Sequence, residues 1–150
     1  MFFLSFFWGF LHGRISSDID LGAFWPPVQT FPFDPLALPL VNTIVLLSSG
    51  ASVTWAHHLI LLGKNKGFVV YTGVTVFLGI LFSILQGIEY TISSFSLSDR
   101  SMGSVFFLST GFHGLHVIAG FSFLLVVLFK QIKLLSTRFQ GVGFECSAWY

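Results

Sequence analysis

From Leu40 to Gly63 the chain runs for 24 residues without a formal charge. At 1.5 Å of rise per residue, a helix of that length reaches about 36 Å, enough to cross a hydrocarbon core of roughly 30 Å. Backbone placed in lipid must satisfy its own hydrogen bonds, and an unbroken apolar run of this length does so as a helix. The same stretch holds the cluster Thr54-Trp55-Ala56-His57-His58, so the span carries polar side chains. Gly67 to Ile88 and Ser101 to Phe129 meet the same length requirement. Met1 to Leu11 is apolar but too short to cross and reads as half a helix. It lacks the basic lead and the small-residue cleavage pattern of a secretory signal. The chain is therefore expected to be all-α, a polytopic membrane helix bundle with three full transmembrane helices plus a partial N-terminal helix. No internal repeat, low-complexity tract or long linker divides it, so residues 1–150 are expected to form one membrane domain.

Composition agrees with a lipid environment and removes other classes. Charged residues make up 9% of the chain, against about 25% in soluble domains. A net charge of +1 with no basic aromatic patch gives nucleic acid nothing to bind. The lone Cys146 excludes an internal disulfide and any cysteine-based metal motif.

The connecting segments orient the spans. Lys64 and Lys66 occupy the turn after the first full span, and Lys130, Lys133 and Arg138 follow the third. By the positive-inside rule this side faces the cytoplasm or the mitochondrial matrix. The opposite side receives Arg14 to Pro39, where Trp25-Pro26-Pro27 and Asp34-Pro35 interrupt helix and predict an ordered surface cap.

Polar and small residues fall on single faces of the spans. Thr75, Gly79, Ser83, Gln86 and Tyr90 recur at helical spacing, as do Ser109, His113, His116 and Gly120. In a bilayer such stripes let backbones approach and side chains bond across helices, which predicts packed faces. His113 and His116, at i and i+3, project to one side and form the strongest candidate for a metal or haem site. His57 and His58 diverge by about 100° and cannot both address one ion without distortion. The other reading makes all four structural, neutral and hydrogen-bonded between helices. Glu89 at the outer end of the second run reads as an interfacial carboxylate accepting a neighbour's donor, or as part of a proton relay that would need a second titratable group. Trp55 reads as a packing or interface aromatic.

Taken in order, the motifs resemble those of cytochrome c oxidase subunit III. They begin with Phe6-Phe7-Trp8-Gly9-Phe10-Leu11 and continue through Trp25-Pro26-Pro27, Asp34-Pro35 and Pro39-Leu40-Val41-Asn42-Thr43. Val45-Leu46-Leu47-Ser48-Ser49-Gly50, Thr54-Trp55-Ala56-His57-His58 and Gln86-Gly87-Ile88-Glu89-Tyr90 follow. Ser98-Asp99, Gly103-Ser104, Thr110 to Ile118 and Gly143-Phe144-Glu145 with Ala148-Trp149-Tyr150 complete the set, which covers essentially the whole chain.

The resemblance implies a structural core subunit, or a fragment of one, in a proton-pumping oxidase that passes electrons from cytochrome c to oxygen. Such a subunit is non-catalytic: haem and copper reside in partner subunits, and it supports assembly, lipid binding and sustained proton uptake. His57, His58, Glu89, His113 and His116 then become structural polar groups within the membrane, and the metal reading recedes. Lys130 and Lys133 correspond to basic positions that contact phospholipid headgroups; Lys130 stands where Arg is common, without the bidentate fork for phosphate. The implied partners are the catalytic subunit I and other subunits of complex IV. The implied location is the mitochondrial inner membrane, with a bacterial plasma membrane as the alternative. The family fold has seven helices. This chain matches the end of the third through the sixth, with a seventh expected after Tyr150, so it reads as a split subunit or as part of a longer one. The acidic group that the family carries deep in its third helix has no counterpart here. The alternative from another class is a small haem-binding or quinol-oxidase-type membrane protein that uses the histidine pairs.

Overall fold

The computed structural model describes residues 2–16, 34–93, 100–133 and 141–150, and every regular element among them is helical. The order is α1 (Phe2–Ile15), α2 (Leu38–Leu61), α3 (Asn65–Ile92), α4 (Arg100–Ile132) and α5 (Val142–Trp149). Three of them, Leu38–Leu61, Asn65–Ile92 and Gly103–Ile132, are long and apolar enough to cross a membrane.

Local chemistry sets the ends. Asp34 Oδ1 accepts the Leu36 amide at 3.0 Å, a turn that Asx side chains favour. Pro39 then occupies the first turn of α2, where its missing N–H costs nothing. At the other end Gly63 adopts φ 70°. The Gly63 amide donates to the Ile60 carbonyl at 3.0 Å and the Lys64 amide to the Leu59 carbonyl at 2.9 Å. These two bonds form a Schellman motif, which requires the left-handed residue that glycine supplies without a Cβ clash. The chain reverses there and α3 starts at Asn65.

The helices pack antiparallel in sequence. Asn42 meets Glu89 and Ser52 meets Thr75 between α2 and α3. A Cβ built at Gly79 of α3 would lie 3.2 Å from Phe121 Cβ of α4, so the absent side chain permits that approach. Tyr90 packs edge-on against Phe107, with ring centroids 5.4 Å apart. On the far side of α4, Gly9 of α1 faces Val105, and the rings of Phe6 and Phe112 lie 5.7 Å apart. This order brings Lys64, Lys66, Lys130 and Lys133 to one end of the bundle, the end expected from the charge pattern. The core, formed by Ala56, Leu59, Phe68, Val76, Leu124 and Phe144, draws on four helices.

Several boundaries differ from the sequence reading, including α2, which runs Leu38–Leu61 where the apolar run is Leu40 to Gly63. Helix α1 continues through Arg14 to Ile15, past the apolar run, since a basic side chain is favourable in a last turn. Helices α3 and α4 extend beyond their apolar runs at both ends. Residues 142–149 form a helix that hydropathy does not mark, because eight residues containing Glu145 and Ser147 are too short and too polar to read as a span. The expected cap around Trp25-Pro26-Pro27, together with Ser98-Asp99 and Arg138, lies outside the described residues.

Candidate functional site

The polar side chains inside the spans form contacts at separate depths. Near the outer end of α2, Asn42 is 7% exposed and its Nδ2 donates to Glu89 Oε2 at 3.2 Å. Its own Oδ1 is buried without a partner. Glu89 is thus held by a donor from the neighbouring helix. Deeper, the buried hydroxyls of Ser52 and Thr75 lie 2.8 Å apart, and Thr75 Oγ1 also donates to the Tyr71 carbonyl at 2.9 Å. Ser52 Oγ likewise lies 2.9 Å from the Ser49 carbonyl, and each hydroxyl has one proton, so the hydroxyl that donates across the helices releases its own carbonyl.

His57 and His58 separate, as their angular spacing requires. The half-buried His57 faces α5: Nε2 lies 3.6 Å from Glu145 Oε1, and its ring is 5.9 Å from that of Phe144. Phe144 is 1% exposed and packs edge-on against Phe68 at 5.0 Å. His58 points to a neighbouring face, exposed, with its ring stacked beside Trp55 at 6.2 Å. Trp55 in turn meets Tyr71 edge-on at 6.3 Å.

The α4 stripe does not pack as the α3 stripe does. His113 and His116 are both exposed. Among the described residues the expected packed face is only partly covered, with Ser109 and Gly120 half-buried, because α3 lies on another side of α4, against Phe107 and Phe121. His116 Nδ1 lies 2.7 Å from the Phe112 carbonyl of its own helix. A carbonyl only accepts, so this nitrogen carries the proton. The His116 ring stacks on Tyr150 at 5.9 Å, and Gly120 also faces Tyr150. Among the described residues no three His, Cys, Asp or Glu side chains gather where they could hold a metal ion. Lys130 and Lys133 are exposed, three residues apart at the end of α4.

Sequence reasoning missed α5 as a contributor. Phe144, Glu145 and Tyr150 join α2, α3 and α4, and the signal was the aromatic Gly143-Phe144-Glu145 segment next to a basic span end. Asn42 was also missed as a partner. A buried amide in an apolar run should have been paired with the one carboxylate at matching depth.

The profile of the cytochrome c oxidase subunit III family matches residues 1–150. Cytochrome c oxidase subunit 3 of Mus musculus is 50% identical over 149 residues, covering 99% of this chain and 57% of the relative. That of Myxine glutinosa is 49% identical over 149 residues, again covering 99% of this chain and 57% of the relative. That of Bos taurus is 47% identical over 150 residues, covering 100% and 58%. The chain spans somewhat more than half the length of these curated relatives.

Proposed function

Because the chain belongs to the cytochrome c oxidase subunit III family, we propose that it acts as a non-catalytic membrane subunit of the respiratory oxidase, complex IV. In this reading haem and copper sit in partner subunits, including the catalytic subunit I, and the complex lies in the mitochondrial inner membrane. The chain supports assembly and sustained proton uptake. The Lys64 and Lys130 end faces the matrix, following the basic residues there. Lys130 and Lys133 hold an anionic phospholipid headgroup, their stems lying along α4 while the ammonium groups reach the headgroup layer.

The family match over residues 1–150 carries this reading. The geometry supports it: His116 bonds a backbone carbonyl and stacks on Tyr150, and His57 faces Glu145, so these imidazoles serve contacts between structural elements. The test is an oxidase purified with this 16.7 kDa chain and with His113→Gln and His116→Gln variants. The chain should copurify, haem and copper per complex should stay unchanged, and the variants should lower only the yield of complex. Loss of a metal with assembly intact would overturn the proposal.

A further inference from the structure

Helix α5 is eight residues long, and a helix that short is marginal by itself, so its docking contacts decide whether it forms. Phe144, 1% exposed, anchors it among Ala56 and Leu59 of α2 and Phe68 of α3. One residue on, Glu145 Oε1 lies 3.6 Å from His57 Nε2 of α2, the one ion-pairing contact among the described residues. That separation is too long for a hydrogen bond, so the contact depends on charge.

The His57 nitrogen makes this charge conditional. Nε2 is buried and finds no hydrogen-bond partner. A neutral imidazole carries one proton and can leave Nε2 bare, which sets a lone pair against a carboxylate oxygen. The imidazolium carries a proton on both nitrogens, so Nε2 then points an N–H at Glu145. Imidazole is the side chain that changes charge between about pH 5 and 8. His57 lies one turn from the end of α2, near the Lys64 side of the bundle.

Neighbouring groups offer no competing ion pair. Phe68 of α3 brings no charge to the cluster, and His58 turns to another face beside Trp55. Lys64, Lys66, Lys130 and Lys133 are exposed, as is Cys146 on α5. His116 of α4 stacks on Tyr150, but its Nδ1 is taken by the Phe112 carbonyl and no carboxylate of the described residues lies within ion-pairing distance of it.

We propose that His57 and Glu145 form a proton-controlled latch, in which protonation of His57 clamps α5 to α2 and deprotonation loosens it. The added stability is present while His57 is charged and Glu145 ionised, and it is lost as rising pH removes the imidazole proton. The latch belongs to helices within this chain and does not rest on the oxidase reading.

The experiment follows amide hydrogen exchange of residues 142–149 by mass spectrometry at about pH 6 and about pH 8. It uses the full chain, purified through a tag with the partners it retains. Protection is taken relative to the intrinsic exchange rate at each pH, with residues 68–82 of α3 as the internal reference. Because both side chains are half-exposed, protection of α5 should be about threefold greater at the lower pH, with no such change in α3. Glu145→Gln alters a side chain that is 49% exposed, which leaves the fold intact, and should abolish the difference. His57→Gln should abolish it too. Equal protection of wild-type α5 at both pH values, greater protection at the higher one, an equal change in α3, or a difference that persists in Glu145→Gln would each overturn the proposal.

Discussion

The α2–α3 hairpin and helix α4 solve the same problem in different ways. The hairpin closes through a Schellman turn and is joined at three depths, by Asn42 with Glu89, Ser52 with Thr75, and Leu59 against Gly67. In α4, Ser109, Thr110, His116 and Ser122 all bond carbonyls of their own helix. The 18-residue window of α3 is 28% buried and that of α4 only 6%. A polar side chain in hydrocarbon needs a partner, and hydroxyls in both regions take carbonyls of their own helix, but the hairpin adds two contacts between helices, Asn42 with Glu89 and Ser52 with Thr75. The hairpin is therefore stabilised from within this chain, whereas the other described residues leave most of the α4 surface uncovered.

The largest test of that contrast is a pair of truncations. Phe68 is fully buried among Ala56, Leu59 and Phe144, whereas Leu115 on α4 is 63% exposed. Phe68→Ala should cost about 3–5 kcal/mol through lost contacts and a residual cavity. Leu115→Ala should leave the fold of this chain within about 0.5 kcal/mol of its starting stability. Resistance of the purified complex to SDS-induced unfolding measures both. Equal losses would mean that α4 is held as firmly as the hairpin.

The next effect concerns the turn. Gly63 has φ 70°, and a side chain there brings Cβ against the following carbonyl, at about 1–2 kcal/mol. Gly63→Ala should lower the SDS midpoint accordingly, while Gly114→Ala in α4, where a Cβ meets nothing within 4 Å, should not lower it. A destabilised Gly114→Ala would reveal a neighbour packed against α4.

At the free end of α4 the expected energies are electrostatic. Each of Lys130 and Lys133 should attract an anionic headgroup by about 1 kcal/mol. Changing both to Gln should lower the anionic lipid retained by the complex and hasten its loss of activity during turnover. Unchanged lipid content with an unchanged lifetime would leave these lysines a topological role alone.

The spans were legible because a charge-free run long enough to cross lipid leaves the backbone one economical solution. The ends of α2 were legible only to within two residues, Leu38–Leu61 against the run Leu40 to Gly63, because Pro39 fits inside a first turn and Gly63 is the left-handed residue that follows the last one. Helix α5 was not legible: eight residues with Glu145 and Ser147 in their midst fall below any span pattern. What holds it is Phe144 inserted beside Phe68, a contact between residues distant in sequence. The α3 stripe was read correctly as a packing face, yet it divides, with Thr75 toward α2 and Gly79 and Tyr90 toward α4. The α4 stripe has similar spacing and is only partly covered among the described residues, by Tyr150 over His116 and Gly120, because spacing fixes which residues share a face and says nothing of what lies opposite.

The finest test addresses the hydroxyl pair at mid-depth in the hairpin. Ser52 and Thr75 are both buried, and their oxygens lie 2.8 Å apart. Hydrogen bonds between transmembrane helices couple by about 0.6 kcal/mol on average, because an unfolded helix in the membrane also finds partners for its polar groups. Thr75 retains the Tyr71 carbonyl and Ser52 the Ser49 carbonyl when the other is removed, so neither hydroxyl is orphaned by a single change. A double-mutant cycle of Ser52→Ala and Thr75→Val should therefore give a coupling of about 0.6 kcal/mol. The matching cycle on α4, Ser109→Ala with His113→Gln, should give none, since Ser109 bonds the Phe106 carbonyl of its own helix. A coupling in α4 as large as that in the hairpin would break the contrast between the two regions at its most local level.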